Sequence, residues 1–252
     1  LNLSALNGAI IWDIITWHYG LPSSSSHALM GGLIGSAATK SGFSTLIWSG
    51  IIKTTIFIVI SPAIGLLLGF TFMVLAMNFS RNSSIAKADK VFRRLQLFSA
   101  AVYSLGHGMN DAQKTMGIIA MALFSKGLLG NTFYIPFWLI IACHTAIAMG
   151  TIFGGWRIVK TMGTRITKLQ PIGGFSAETA AACSIIGASV AGIPVSTTHT
   201  ITGAIVGVGS TKRLSAVRWG VAGNIIWAWI LTIPVSAIIA ALTYFLLNFF
   251  LV

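Results

Sequence analysis

Long apolar stretches separated by short polar segments run along the whole chain. They cover approximately residues 5–19, 28–38, 43–79, 96–125, 133–153, 176–191, 200–210 and 216–251. About 20 apolar residues in an α-helix cross the hydrocarbon core of a bilayer. The stretches 28–38 and 200–210 are too short for this, whereas 43–79 and 216–251 are nearly twice the necessary length. The pattern predicts membrane helices together with two short helical segments.

Each of the two longest stretches contains a proline, Pro62 in the first and Pro234 in the second. Proline has no backbone N–H and disturbs the helical hydrogen bond to the residue four positions earlier. In a membrane such a proline is tolerated inside a kinked helix. Each stretch is therefore either one long kinked helix or two spans divided at the proline, and the sequence leaves both alternatives open.

The composition indicates that lipid surrounds most of the protein. Of the 252 residues, 55% are hydrophobic and 8% are charged, and the mean hydropathy is +0.86. Soluble domains carry about 25% charged residues, so this chain lacks the charges needed for a water-facing surface. We predict an all-α, multi-pass integral protein of the cell (inner or plasma) membrane, with no cofactor and no enzymatic activity. Cys143 and Cys183 lie in apolar stretches without motif spacing, so we expect no disulfide.

The net charge of +12 is concentrated in short segments between the apolar stretches. Five Lys or Arg residues fall in 81–94, four in 157–168 and three in 212–218, which accounts for twelve of the sixteen. Short basic loops are typical of the cytoplasmic side of a membrane protein. We therefore predict that all three segments are cytoplasmic, and this distribution argues against binding of nucleic acid.

An internal repeat relates the two short apolar segments. Residues 20–35 align without a gap with residues 192–207, at an offset of 172. The same offset pairs Lys40 with Lys212 and Pro62 with Pro234. Because the region near Lys40 lacks the positive charge that follows the second copy, we predict that the two copies face opposite sides of the membrane. Inverted repeats with broken or half helices that meet near the membrane midplane are typical of secondary transporters.

The repeat and the charges suggest three parts. Residues 1–80 form the C-terminal part of the first inverted repeat, 81–95 a basic cytoplasmic loop, and 96–252 the second inverted repeat.

A proline followed by hydroxyl residues and a histidine precedes each short segment. The two motifs run from Pro22 to His27 and from Pro194 to His199. Serine and threonine are good N-caps, so each motif predicts a break in the chain followed by the start of a half-helix. A helix N-terminus offers free N–H groups and a partial positive charge. The two motifs together predict a site for an oxyanion.

A polar segment lies in the middle of the stretch 96–125. It reads Gly-His-Gly-Met-Asn-Asp-Ala-Gln-Lys-Thr-Met-Gly over residues 106–117. Ionisable side chains at membrane depth are costly and mark functional sites. We expect the glycines to let the helix unwind here, so that free carbonyls, Asn110 and Asp111 bind a cation such as Na⁺ through oxygen. Uptake of a proton by Asp111 is the alternative, as is a purely structural pair with Lys114.

These residues match a known family. The Gly-x-Asn-Asp core at 108–111, the run 107–117 and both proline–hydroxyl–histidine motifs resemble the inorganic phosphate transporter family, most closely its bacterial branch. The resemblance covers essentially the whole chain. It implies symport of phosphate with H⁺ or Na⁺, a homodimer, and inverted repeats that each carry an Asn-Asp motif. From the two opposed motifs we expect this transport to proceed by alternating access.

This chain carries one Asn-Asp motif where the family pattern has two. An offset of 172 from Asn110 places the second copy about 62 residues before Leu1. We therefore expect a further N-terminal part that precedes the sequence described here.

The predicted binding residues fall into three groups. The substrate-binding group is Ser23, Ser24, Ser25, Ser26, Asn110, Gln113, Thr115, Ser196, Thr197 and Thr198. Asn110 and Asp111 form the coupling-ion group, where Na⁺ is the candidate metal. His27, His107, Lys114 and His199 are expected to support both groups.

Three other functions remain open at this point. A sulfate or other oxyanion permease is possible on the same scaffold, because sulfate has the shape of phosphate but donates no hydrogen bond. A passive anion channel would be lined by basic residues, whereas most Lys and Arg lie in the predicted loops. A His-dependent membrane metalloprotein would place His pairs on one helix face, and the sequence has no such pair at i, i+4.

Overall fold

Eight α-helices form the protein in a computed structural model, which describes the backbone of residues 1–251 and the side chains of residues 1–250. The helices are α1 (Asn2–Tyr19), α2 (Ser25–Ser41), α3 (Trp48–Ser80), α4 (Ile85–Ser125), α5 (Phe137–Lys160), α6 (Pro171–Val190), α7 (Thr197–Ser210) and α8 (Trp219–Leu251). A π-helical turn, Thr161–Ile166, follows α5, and short 3₁₀ turns precede α3 and α8. The described residues contain no β-strand, so the prediction of an all-α protein is confirmed.

Three of these helical segments are long and apolar enough to cross a membrane. They are Trp48–Ser80, Phe137–Ile166 and Trp219–Phe250. Pro62 and Pro234 each lie inside a single helix, which decides between the two alternatives that the sequence left open. Many large apolar side chains on these helices point away from the protein, which suits a surface covered by lipid.

The predicted loop 81–95 is a loop only as far as Ser84. The Ser84 hydroxyl accepts the N–H of Lys87 at 3.4 Å and starts α4 within the basic segment. An ion pair of 2.8 Å between Arg93 and Asp89, four residues apart, supports the first turns of the helix. Capping and pairing therefore extend the helix into a segment whose charges had suggested a loop.

The helices recur in the same order at the offset found in the sequence. Adding 172 to the first residues of α1, α2 and α3 gives 174, 197 and 220, and α6, α7 and α8 begin at 171, 197 and 219. The local caps also recur. Ser24 accepts the N–H of His27 at 3.4 Å, and Ser196 accepts the N–H of His199 at 3.3 Å. Equal sequence patterns thus give equal local structures in the two halves.

Each short helix packs against the long helix of the other half. Helix α2 lies along α8, and α7 lies along α3. Glycines permit the close approach, because a Cβ on Gly31 or Gly35 would collide with α8 and one on Gly203 or Gly207 would collide with α3. Small residues at such crossings let helix backbones pack together in a membrane. This reciprocal packing of α2 on α8 and of α7 on α3 joins the two halves into one unit.

Two equivalent residues meet where the halves join. The ring centroids of His27 and His199 lie 4.9 Å apart, and the Trp229 ring stacks on His199 at 3.9 Å. Both histidines are buried. The two histidines that the offset of 172 pairs thus contact each other where the halves join.

Candidate functional site

The polar segment of α4 is helical throughout, which corrects one prediction. No unwound carbonyls occur between Gly106 and Gly117, since α4 continues from Ile85 to Ser125. Glycine permits a break without requiring one, and an apolar environment favours a helix in which every backbone group is bonded. The unbroken helix places His107, Asp111 and Thr115 on one face, four residues apart.

Helix α4 holds the break before α7 through two adjacent side chains. Thr197 in the first turn of α7 donates its hydroxyl to Asp111 Oδ2 at 3.3 Å. Asn110, which is buried, donates its side-chain amide to the carbonyl of Val195 at 3.2 Å. The carbonyl that enters the site therefore belongs to the break before α7.

Lys114 connects both hydroxyl motifs to the same point. Its ammonium nitrogen lies 2.8 Å from the hydroxyl of Ser26 in the first motif and 3.0 Å from the carbonyl of Val195 in the second. Asp111 Oδ1 is 3.8 Å away and compensates the charge. His107 Nδ1 lies 3.2 Å from the other carboxylate oxygen of Asp111. The two motifs, 172 residues apart in sequence, thus meet at the ammonium group of Lys114.

A cavity of about 580 Å³ opens next to these contacts. Its polar lining consists of Asp13, Thr16, Ser23, Ser25, His107, Asp111, Thr115, Thr151 and Thr198. The Ser23 and Thr16 hydroxyls are 2.7 Å apart and form part of one wall. Such a volume is typical of small-molecule sites and is large enough for a tetrahedral oxyanion with its ions and water.

Comparison with known proteins identifies the family. The sequence profile of the phosphate transporter family matches residues 1–88 and 78–240. The chain belongs to this family. Its members are transporters and not enzymes, so the resemblance seen in the sequence is confirmed.

Relatives with assigned names support the membership in the phosphate transporter family. The chain is 58% identical to the "Probable low-affinity inorganic phosphate transporter" of Rhizobium meliloti (strain 1021), over 96% of this chain and 72% of that protein. It is 45% identical to the protein of the same name from Bacillus subtilis (strain 168), over 98% and 74%. A solved structure described as "The sodium-dependent phosphate transporter" matches with a TM-score of 0.83 and 26% identity, over 98% of this chain and 79% of that chain.

One predicted substrate residue of this family member lies away from the cavity. Gln113 is exposed and does not line the cavity that contains Asp111. Two residues along a helix correspond to a rotation of about 200°. The side chain of Gln113 therefore points away from Asp111 and from the cavity.

The remaining predicted residues divide between the cavity wall and the structure behind it. Ser24 and Ser196 are buried, and their oxygens cap α2 and α7. His27 and His199 are buried where the two halves meet and do not line the cavity. These four residues lie behind the cavity wall, whereas Ser23, Ser25 and Thr198 line the cavity itself.

Asp13 is a cavity residue that the sequence did not assign. In the structure it lines the same cavity as Asp111, and its Oδ1 is buried without a hydrogen-bond partner among the described residues. The signal for its role was an acidic residue inside an apolar stretch, which is uncommon without a function.

The donors around Asp111 suit a hard cation or a proton better than a transition metal. Among the described residues, no three His, Cys, Asp or Glu side chains are grouped as for a metal ion. The Val195 carbonyl already accepts from Asn110 and Lys114. Oxygen ligands for Na⁺ would therefore come from the Asp111 carboxylate, the Asn110 side-chain oxygen and nearby hydroxyls.

The contact between Lys114 and Ser26 predicts coupled mutational effects. We expect Lys114→Met to lower phosphate uptake at least tenfold and Ser26→Ala to lower it severalfold, because a charge-assisted hydrogen bond contributes roughly 1.5–3 kcal/mol. The double variant should be no worse than Lys114→Met alone, since both changes remove the same contact. Uptake rates in a double-mutant cycle test this. Multiplicative losses would show that the two residues act separately.

Proposed function

We propose that this family member is a secondary active transporter that carries inorganic phosphate together with H⁺ or Na⁺ by alternating access. The observation that carries the proposal is the arrangement around Lys114, which contacts Ser26 of one motif and the Val195 carbonyl of the other beside Asp111. Two half-helix N-termini and the Asp111 carboxylate then border one cavity, and the Lys114 ammonium lies 3.8 Å from that carboxylate. This combination suits an oxyanion that enters together with a cation.

In this proposal the anion lies between the two half-helices. The hydroxyls of Ser23, Ser25, Ser26, Thr197 and Thr198 and the N-termini of α2 and α7 bind its oxygens. Free N–H groups and the helix dipole favour a negative charge at these positions. Thr115 on α4 completes the wall. The relatives named as inorganic phosphate transporters support phosphate as the anion.

The coupling cation binds at Asp111, with Asn110 as a further ligand. Asp111 and Asp13 line the same cavity, so the site contains two carboxylates against the single ammonium of Lys114. A bound cation therefore compensates part of the negative charge of the site when phosphate is present. The structural neighbour described as sodium-dependent supports Na⁺ as this cation, and a proton on either carboxylate is the alternative.

Alternating access would use the two halves as opposed units. We propose that residues 1–80 and 96–252 contain inverted repeats, that the segments 81–95, 157–168 and 212–218 are cytoplasmic, and that the protein is a multi-pass homodimer of the cell membrane. The reciprocal packing of α2 on α8 and α7 on α3 supports a two-fold relation between the halves. Movement of one half against the other would expose the cavity to each side in turn.

Uptake of radioactive phosphate into proteoliposomes tests the proposal. We expect accumulation above the outside concentration only when an inward Na⁺ or H⁺ gradient is imposed, and little competition from a tenfold excess of sulfate. Equally fast uptake without any gradient would instead establish a passive channel. Equal transport of sulfate would establish a general oxyanion permease.

A further inference from the structure

A second cavity, of about 590 Å³, lies beside the first and is strongly basic. It is formed by the C-terminal ends of α1 and α5 and by the π-helical turn that follows α5. Three cationic side chains line it, namely Arg157, Lys160 and Arg165. Trp17, Tyr19 and Trp156 form aromatic parts of its wall. We call this space the basic vestibule.

No carboxylate of the described residues lines the basic vestibule. The chain has four acidic residues in total. Asp89 pairs with Arg93, and Glu178 accepts the hydroxyl of Ser99 at 2.6 Å. The remaining two, Asp13 and Asp111, line the central cavity. Positive charge in the vestibule is therefore not neutralised by the protein's own acids.

Arg157 connects α5 to the end of α1 within the wall of the basic vestibule. Its Nη1 donates to the carbonyl of His18 at 2.8 Å, at the end of α1, and its guanidinium lies 4.8 Å from the centroid of the Trp17 ring. Lys160 and Arg165 differ, because their side chains are exposed and have no hydrogen bond or ion pair to the described residues. The vestibule thus contains two cationic groups that are free to bind a ligand.

The vestibule adjoins the central cavity. Trp17 and Gly154 line both spaces, and the indole N–H of Trp17 donates to the Gly154 carbonyl at 2.8 Å. The basic vestibule and the central cavity therefore share a wall, and the vestibule lies directly beside the proposed binding site. A cleft lined by one sign of charge with low-dielectric walls raises the local concentration of oppositely charged ligands.

We infer that Lys160 and Arg165 form a second oxyanion site, which binds the phosphate group of a ligand at the mouth of the central cavity. The inference rests on the proposed function, because it treats this mouth as part of a phosphate path. Helix C-termini and cytoplasmic segments favour basic residues in general. That preference accounts for basic residues in this segment, but the shared cavity also places Lys160 and Arg165 where one doubly charged oxyanion can contact both.

The free phosphate ion and the phosphate of a lipid headgroup share this chemistry. The test compares the double variant Lys160→Gln/Arg165→Gln with the wild-type protein. Arg157 stays unchanged, because it holds the end of α1. The matched control is Lys90→Gln/Arg94→Gln, which removes two exposed charges from another basic segment.

Transport is measured in right-side-out and inside-out vesicles. For the double variant we expect the half-saturating phosphate concentration on the vestibule side to rise about three- to tenfold, from the usual range for exposed charge pairs. The value for the opposite side should stay within twofold of wild type, as should both values for the control. The increase should disappear at about 0.5 M salt, since screening weakens exposed charge interactions. A purely structural role would not depend on salt in this way.

Lipid composition distinguishes the two sources of phosphate. If the increase persists in phosphatidylcholine alone, the site binds the free ion, and if it needs phosphatidylglycerol, the site binds an anionic headgroup. A double variant that matches the control in both lipids overturns the inference. Failure of the wild-type protein to move phosphate overturns the proposed function instead. In that case, binding of radioactive phosphate to purified wild-type and double-variant protein tests the vestibule, and equal binding overturns it.

Discussion

Asp111→Asn should abolish gradient-driven phosphate uptake, with a loss of about 100-fold or more. The substitution keeps the size of the side chain and an acceptor for the Thr197 hydroxyl, but it removes the charge 3.8 Å from the ammonium of Lys114. A coupling cation then lacks its carboxylate. The estimate corresponds to the roughly 1.5–3 kcal/mol of a hydrogen bond or close contact to a charged group, with the lost cation affinity in addition.

Binding and transport should separate in this variant. Because Lys114 is no longer opposed by Asp111, equilibrium binding of radioactive phosphate to purified Asp111→Asn should equal or exceed wild type, while uptake under a Na⁺ or H⁺ gradient is lost. Asp89→Asn serves as the control, since Asp89 pairs with Arg93 at an exposed position away from the cavity. Wild-type uptake by Asp111→Asn would remove this carboxylate from the proposed mechanism.

Gly203→Ala should destabilise the protein strongly, although it adds only one methyl group. A Cβ at Gly203 would collide with the backbone of Pro62 on α3, and neither backbone can move without separating α7 from α3. Overpacking of this kind costs about 1–3 kcal/mol. We expect a lower yield of folded protein and a fall in apparent Tm of roughly 2–12 °C in a thermal-shift assay.

A second glycine substitution, at an exposed position, should not destabilise the protein. Gly187 on α6 is exposed, and a methyl group added there would have no neighbouring atom within 4 Å among the described residues. Alanine is a better helix former than glycine by about 1 kcal/mol, so Gly187→Ala should leave Tm unchanged or raise it slightly. An equal fall in Tm in both variants would contradict the prediction that Gly203 is needed for the close packing of α7 on α3.

The sequence predicts the half-helices well because their signal is local. A proline, a capping hydroxyl and a histidine lie within six residues in each motif, and Ser24 and Ser196 both act as N-caps. The repeat offset of 172 likewise anticipates equal helices in the two halves. These features depend on neighbouring residues or on direct comparison of two segments, and both are visible in the chain itself.

Other parts of the site depend on long-range packing and carry no local signal. The carbonyl of Val195 accepts hydrogen bonds from two side chains of α4. Every residue carries a backbone carbonyl, so the sequence cannot show which one takes part in a site. Asp13 joins the cavity only because α1 lies beside it. The continuity of α4 past Gly106 is also decided by its surroundings, since glycine allows a helix as well as a break. Tertiary contacts therefore determine which of the permitted local structures forms.

The contact between His27 and His199 has an evolutionary consequence. A half-length ancestor that paired with an identical copy would place this histidine against itself, so one mutation would alter both partners at once. After duplication and fusion the two positions change independently. A chain with a different residue at one of them explores combinations that the ancestral pair never contained, so the two halves can begin to differ at this contact.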